Sequence, residues 1–345
     1  MKTITYKLCL CLLTVFTMLM SCEEDDDPTI TFVEEDRDEQ QAKDNDSIVD
    51  YLSTHYYNSN FFETGTNHKY TDIVITELEE GEAVPSGHTL LIDAVGEPLT
   101  TNFVETDYEY YILRLNQGGG ESPNFTDRVR VRYEGSSIED GNVFDSRITP
   151  LDLALVGNGF NSFGTIRAWQ LVMPSFNTAV DFSFDDGIVN YNNFGLGVMF
   201  VPSGLAYFSG ITTGSSYDNL IFKFEMLQHE TEDHDGDGIP SYIEDLNSDL
   251  DISDDTDEDE FPNFIDLDDD GDDVLTFDEL MQTTYTVDTN IGELEPVLGD
   301  NEYEFSRSSN AGIITIITVK ALDTDSNGFL DYLDDGVSVN YNPTN

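Results

Sequence analysis

Residues 129–147 constrain the fold of this chain more than any other stretch. Val129, Val131 and Tyr133 alternate with Arg130 and Arg132, the period of a strand that buries one face. Asp140-Gly141 is a dipeptide suited to a tight reversal, and Val143-Phe144-Asp145 returns the chain. An antiparallel hairpin of this kind brings a ring and a carboxylate back beside Tyr133. It builds a small apolar cup with a polar rim.

Three later blocks extend the pattern. The chain's single tryptophan lies in Thr165-Ile166-Arg167-Ala168-Trp169. Val198-Met199-Phe200-Val201-Pro202 is followed by Ala206-Tyr207-Phe208. A last strand candidate, Asp218-Asn219-Leu220-Ile221-Phe222-Lys223-Phe224-Glu225-Met226-Leu227, closes the series. In this order the blocks resemble the FK506-binding (FKBP-type) peptidyl-prolyl isomerases, whose signatures run V-x-V-x-Y-x-G-x-x-x-D-G-x-x-F-D-S, V-I-x-G-W, P-x-x-x-A-Y-G and N-x-x-L-x-F-x-x-E-L.

The resemblance implies an α+β fold over residues 127–229, an antiparallel sheet wrapped on a short helix. It implies a proline pocket made of Tyr133, Phe144, Ile166, Trp169, Tyr207 and Phe222, with Trp169 as floor and Asp145 ordering the rim through Tyr133. The Ile166 N–H and the Tyr207 hydroxyl would hold substrate carbonyls. The substrates would be proline-containing polypeptides, and catalysis would need no cofactor. Leu151 and Leu153 stand about where the family has aromatic residues. Ala168 and Phe208 replace family glycines, and the link from Met173 to Phe194 is longer than usual.

Charge sets further limits. The 345 residues carry a formal net charge of −56, which argues against nucleic acid, whose phosphates need Lys and Arg. It also disfavours docking on anionic lipid and favours cations. With 39% hydrophobic residues, 17 Tyr and 22 Phe, packed cores are within reach.

The N-terminus reads as an export signal over residues 1–21, with Lys2 and Lys7 before an apolar run from Leu8 to Met20. Leu19-Met20-Ser21-Cys22 resembles a bacterial lipobox, so Cys22 would carry lipid and anchor the chain to the outer membrane, facing periplasm or surface. Cys9 and Cys11 would leave with the signal, which precludes a disulfide within the mature chain. The mature chain is expected to be a monomer.

Residues 22–45 read as an acidic tether. Asp46 is a good N-cap for a helix running through Ile48 and Leu52. Ile73–Ile75, Leu90–Ile92 and Tyr108–Leu115 are strand candidates, so 46–126 reads as an N-terminal extension that adds a helix and strands to the next domain. After Leu227 the composition changes. No Lys or Arg occurs between Lys223 and Arg307, and residues 230–345 form an irregular Asp-rich tail with one strand candidate at Ala311–Val319.

That tail repeats a Ca²⁺-loop spacing. Asp233, Asp235, Asp237, Gly238, Ile239, Ser241 and Glu244 fill places 1, 3, 5, 6, 7, 9 and 12 of the loop. Alternate acids turn three carboxylates toward one point, where a hard ion takes oxygens. Asp255, Asp257, Asp259 and Asp266 repeat it with Glu260 for the glycine. Asp268, Asp270, Asp272 and Glu279 repeat it with Asp273 there, and Asp323, Asp325, Asn327, Asp331 and Asp334 keep Gly328. Asn247, Asp249 and Asp251 suggest a further partial loop. Only Leu267 separates Asp266 from Asp268, which leaves no room for the flanking helices of an EF-hand. The tail resembles thrombospondin type 3 repeats, and Ca²⁺ is expected as its structural ion.

Three functional readings compete: a lipid-anchored prolyl isomerase, a catalytically weak module that holds proline-bearing segments, and a purely structural surface protein. The five histidines show no zinc spacing, and no G-x-S-x-G elbow is present.

Overall fold

The computed structural model describes residues 33–159 and 163–343. The export signal, Cys22 and the first part of the acidic tether, up to residue 32, lie outside them. In chain order the elements are helix α1 (Arg37–Thr54), strands β1 (His55–Tyr57), β2 (Ile75–Glu77) and β3 (Thr89–Leu90), helix α2 (Leu91–Val95), and strands β4 (Leu99–Phe103), β5 (Thr106–Asn116), β6 (Arg128–Ser137) and β7 (Val143–Ala154). Helix α3 (Arg167–Val172) follows, then β8 (Asp181–Asp185), β9 (Ile188–Asn192), β10 (Gly195–Val201) and β11 (Leu220–Glu230). The tail contributes β12 (Met281–Asp288), β13 (Glu302–Asn310) and β14 (Ile313–Lys320).

The hairpin forms as its alternation requires. β6 pairs antiparallel with β7, Tyr133 opposite Arg147 and Gly135 opposite Asp145. On its other edge β6 pairs with β11, which sets Phe224 opposite Tyr133 and Phe222 opposite Gly135. These strands belong to a six-stranded antiparallel sheet of order β4-β5-β10-β11-β6-β7. β10 and β11 are thus central, and their apolar runs are buried almost throughout.

Each face of the sheet carries its own core. Val131, Tyr133, Met199, Leu220, Phe222, Phe224 and Met226 pack against Ala168, Trp169 and Val172 of α3. On the opposite face Tyr111, Leu113, Leu196, Val198, Phe200 and Ile221 pack against Ile48 and Leu52 of α1, Leu91 of α2, and Tyr70. The segment before residue 127 therefore completes the sheet with β5 and roofs its second face.

Helix α1 starts at Arg37 rather than at Asp46, so residues 37–45 are helix and not tether, and Asp46 is interior to the helix. Polar contacts hold this first half. Asp44, 1% exposed, accepts hydrogen bonds from the Ser203 N–H (2.9 Å), the Ser203 hydroxyl (2.6 Å) and the Gln40 amide (2.6 Å). An apolar-periodicity reading has no access to such an anchor. Ile73 is buried ahead of β2, and Leu91 opens α2 rather than continuing β3. The long link after Met173 folds into the hairpin β8–β9.

The tail is less irregular than its composition suggests. β12, β14 and β13 form an antiparallel sheet in that order, and Val319 joins Ile239, Leu280, Ala321 and Tyr332 in a small core. β12 and β13 escape sequence reading because much of each is exposed and polar. No helix among the described residues is long and apolar enough to cross a membrane.

Asp44→Ala would leave the Ser203 hydroxyl and the Gln40 amide without their buried acceptor and the Ser203 N–H with only Asn219 Oδ1 at 3.2 Å, at about 1–3 kcal/mol. Urea denaturation should show a lowered midpoint at unchanged slope; an unchanged midpoint would remove Asp44 as the anchor of α1.

Candidate functional site

The seven residues expected at the pocket converge. Tyr133 of β6, Phe144 and Asp145 of β7, Ile166 and Trp169 at the start of α3, Tyr207 and Phe222 of β11 all line one cavity of about 390 Å³. Trp169 is 4% exposed and meets Tyr133 and Phe222 edge-on, with ring centroids 5.3 and 5.4 Å apart. Phe144 meets Phe222 at 5.6 Å and Tyr207 at 6.5 Å, both edge-on. Such edge-to-face contacts suit the ring quadrupoles and fix the rings against one another.

The rim is polar. The Tyr133 hydroxyl donates to Asp145 Oδ2 at 2.6 Å, and Arg147 donates to Asp145 Oδ1 at 2.5 Å. Burial first, and then the Asp145 bond, push the Tyr133 phenol above its ordinary range. Tyr133 therefore stays neutral and acts as a hydrogen-bond group. Burial and the Asp145 charge likewise raise Tyr207. The described lining contains no Cys, His, Ser or Lys; what the cavity gathers is mainly rings and fixed dipoles. Clefts of about 670 and 850 Å³ elsewhere have mostly polar linings and gather no comparable aromatic set.

Several supports were not foreseen. Arg128, Asp152, Phe163 and Thr165 join the lining, as does Leu153; Leu151 does not. Gly135 backs the cup, because a Cβ there would lie 2.6 Å from Phe222 and 2.8 Å from Phe144. Phe208 sits at φ +48°, a left-handed conformation that suits glycine better than phenylalanine. Its ring is nonetheless buried, under the Arg37 guanidinium at 4.1 Å and beside Tyr217 at 5.0 Å. These contacts offset the backbone strain.

The acidic ladders share one loop geometry. Places 4 and 6 have positive φ in all of them: Gly236 and Gly238, Ser248 and Leu250, Glu258 and Glu260, Gly271 and Asp273, Ser326 and Gly328. Glu260 and Asp273 thus take up the turn that glycine would make more easily. The partial loop starts at Asp245, which accepts from the N–H groups of Asp249 and Leu250, two residues ahead of Asn247. The place-9 side chain clamps the loop. Ser241, Asn263, Thr276 and Asp331 accept from the place-2 N–H of His234, Thr256, Asp269 and Thr324. Ser241, expected as a ligand, thus spends its oxygen on His234, whose ring it also meets at 2.9 Å.

The carboxylates divide their labour. One oxygen of Asp235, Asp237, Asp270 and Asp272 accepts a backbone N–H two residues on. The other oxygen of each is buried without a hydrogen-bond partner, as are both oxygens of Glu244 and Glu279 and one each of Asp268 and Asp331. Ligand oxygens of Asp233, Asp235 and Asp237 lie within 4.8 Å of one another, and so do those of Asp255, Asp257 and Asp259, and of Asp268, Asp270 and Asp272. Oxygens gathered in this way, several of them without donors, could hold a hard cation.

The other expected ligands also take bonds within or beside their loops. Asp266 accepts from the N–H groups of Leu267 and Asp268. Asp323 and Asp325 accept backbone bonds from Asn327, whose amide donates to Asp334. The Ile239 N–H donates to Asp237 and its side chain lies in the tail core; the expected ligand atom, its carbonyl oxygen, takes no part in either contact.

A sequence profile of the family described as BamM C-terminal matches residues 234–295, well under half of the chain. Among curated protein sequences none matches. Solved structures that resemble part of the chain include a peptidyl-prolyl cis-trans isomerase from Pseudomonas syringae pv. tomato (21% identity, 35% of this chain and 75% of that one, TM-score 0.28). FkpA from Escherichia coli is 25% identical over 35% of this chain and 48% of its own, with TM-score 0.28. The N-terminal domain of FKBP42 from Arabidopsis thaliana is 12% identical over 35% of this chain and 86% of its own, with TM-score 0.27. At such TM-scores these likenesses add no weight to the geometry of the cavity.

Gly135→Ala should force the Phe222 and Phe144 rings aside and cost about 1–3 kcal/mol; an unchanged denaturation midpoint would show that the cup is loosely packed. A second expectation concerns pH in the metal-free chain. Burial raises Asp235 to about 9, Asp237 to about 8 and Glu279 to about 9, against about 4 in an unfolded chain. The folded tail then binds more protons than the unfolded one. Its stability is greatest below about pH 4 and is lost as pH rises through 8 to 9. Hydrogen exchange at Ile239, Leu280 and Val319 should quicken accordingly between pH 5 and pH 9, beyond the intrinsic base-catalysed rise; constant protection would contradict it.

Proposed function

We propose that the aromatic cavity binds the proline of an X-Pro segment and catalyses its cis–trans isomerisation, in the manner of an FKBP-type isomerase. The observation that carries this reading is the convergence of Tyr133, Phe144, Asp145, Ile166, Trp169, Tyr207 and Phe222 on one cavity of about 390 Å³. Rotation about a peptide bond meets a barrier of about 18–20 kcal/mol. For X-Pro the isomers are close in energy but exchange over tens to hundreds of seconds. No bond breaks, so neither a nucleophile nor a metal is required.

Twisting the amide removes its resonance and lessens the charge separation across C, N and O. Apolar surroundings favour that twisted state over the planar one relative to water, which is differential binding of the transition state. Trp169 floors the proline ring, Phe144 and Phe222 wall it, and the Ile166 N–H and the Tyr207 hydroxyl orient carbonyls. Asp145 holds the Tyr133 hydroxyl and so positions the rim.

In this reading the chain is exported, lipidated at Cys22 and held at the outer membrane, where it assists the folding of exported proteins. The tail takes Ca²⁺ on Asp233, Asp235, Asp237 and Glu244, on Asp255, Asp257 and Asp259, and on Asp268, Asp270, Asp272 and Glu279. The ion supplies positive charge to carboxylates that have no other counter-charge. Buried, donorless oxygens of Asp235, Asp237 and Glu244 and of Asp268, Asp270, Asp272 and Glu279 support that assignment in the first and third ladders; the second rests on the mutual approach of Asp255, Asp257 and Asp259. Phe208 at φ +48° favours a second reading, a module that holds proline segments with little catalysis.

A proline-isomerisation assay separates the two. Acceleration by the parent chain, lowered about tenfold or more in Trp169→Leu and less in Tyr133→Phe, supports the enzyme. Binding of a proline peptide, followed by Trp169 fluorescence, without acceleration supports the holding module. Neither binding nor acceleration defeats both.

A further inference from the structure

Asp269 has no role in the Ca²⁺-loop spacing. It stands at place 2 of the third ladder, where the alternation that turns places 1, 3 and 5 inward turns its side chain away from its own loop. Its backbone is fixed by a bond from its N–H to the Thr276 hydroxyl at 3.1 Å. The side chain is 1% exposed. Neither carboxylate oxygen has a hydrogen-bond partner.

Its neighbours come from the first ladder. Carboxylate oxygens of Asp269, Asp237 and Glu244 all lie within 4.8 Å of one another. Glu244 is likewise 1% exposed, both of its oxygens lack partners, and one Asp237 oxygen does too. One oxygen from each of three buried acids thus approaches a common point, and five of their six carboxylate oxygens lack a hydrogen-bond partner, in a stretch with no Lys or Arg between Lys223 and Arg307. Buried anions need a counter-charge, and none of the bonded groups provides it.

We propose that Asp237, Glu244 and Asp269 form a cross-loop site for a divalent cation of the Ca²⁺ type, in which the third ladder lends a ligand to the first. The site ties residues 233–244 to residues 268–279 through one ion. Ile239 of the first ladder and Leu280, the residue that follows the third, meet in the tail core, so the ion and the core hold the same two segments together. The corresponding place-2 residues are His234, Thr256 and Thr324; the bridge is peculiar to Asp269. The proposal rests on the calcium reading of the ladders.

Calorimetric titration of Ca²⁺ into the metal-free mature chain tests it. Asp269→Asn, a neutral isostere, should weaken the tightest binding step tenfold or more, and Glu244→Gln should do the same. The double variant should lose little beyond the stronger single one, because both residues serve one ion. Asp300→Asn removes one charge from an exposed turn and should leave the isotherm unchanged. An Asp269→Asn isotherm within twofold of the parent's would overturn the site, and so would additive losses in the double variant. If the parent itself takes up no Ca²⁺, the calcium reading of the ladders fails first, and the bridge with it. Melting of the metal-free Asp269→Asn chain guards against misfolding. It should occur at or above the parent's temperature, since the cost of burying an acid without hydrogen-bond partners is gone, and melting well below it would also count against the site.

Discussion

The central sheet must satisfy a core on each face, and most other features of the molecule follow from that requirement. Along β11, Leu220, Phe222, Phe224 and Met226 serve the α3 side, while Ile221 serves the α1 side. Glu225 also falls on the α1 side and is fully buried. It is tolerated because Arg132 donates to one of its oxygens at 2.8 Å and the Tyr70 N–H to the other at 3.0 Å. A buried carboxylate without such partners would cost several kcal/mol. The same contacts fasten the N-terminal segment onto the sheet. The cavity forms where the first face carries rings from β6, β7 and β11 and meets the start of α3.

The tail is bonded to the supports of that cavity. Arg128, which lines the cavity, pairs with Glu232, just before the first ladder. The His234 ring meets the Val156 carbonyl at 3.2 Å, and Arg167 of α3 donates to the Leu250 carbonyl at 2.7 Å. Leu250 occupies the left-handed place 6 of the loop that starts at Asp245. The order of the ladders and the position of α3 are therefore linked through ordinary hydrogen bonds.

Much of the site was legible in the residues. Alternation in 129–133 and the Asp140-Gly141 reversal determine the hairpin, because strand period and turn chemistry are local properties. Tyr133, Phe144, Trp169, Tyr207 and Phe222 could be placed together only through a family resemblance, since no local rule joins residues so far apart in the chain. The first half of α1 was not legible: Gln40 and Asp44 look like solvent-facing residues until Ser203 is brought against them. Gly135 was not legible either, as its need for a missing Cβ depends on where Phe222 and Phe144 come to rest.

The ladders divide along the same line. Sequence by itself determined which acids sit at alternate places and that no Lys or Arg stands among them. It thereby determined that the segment would demand an outside counter-charge. Only the tertiary structure decided that glycine is dispensable at place 6, that the Ser241 hydroxyl clamps its own loop, and that Asp269 faces Asp237 and Glu244 across two ladders. Spacing reports what one turn of chain can bring together. The approach of one turn to another is set by the packing of Ile239, Leu280, Val319 and Tyr332, and that is a property of the folded molecule.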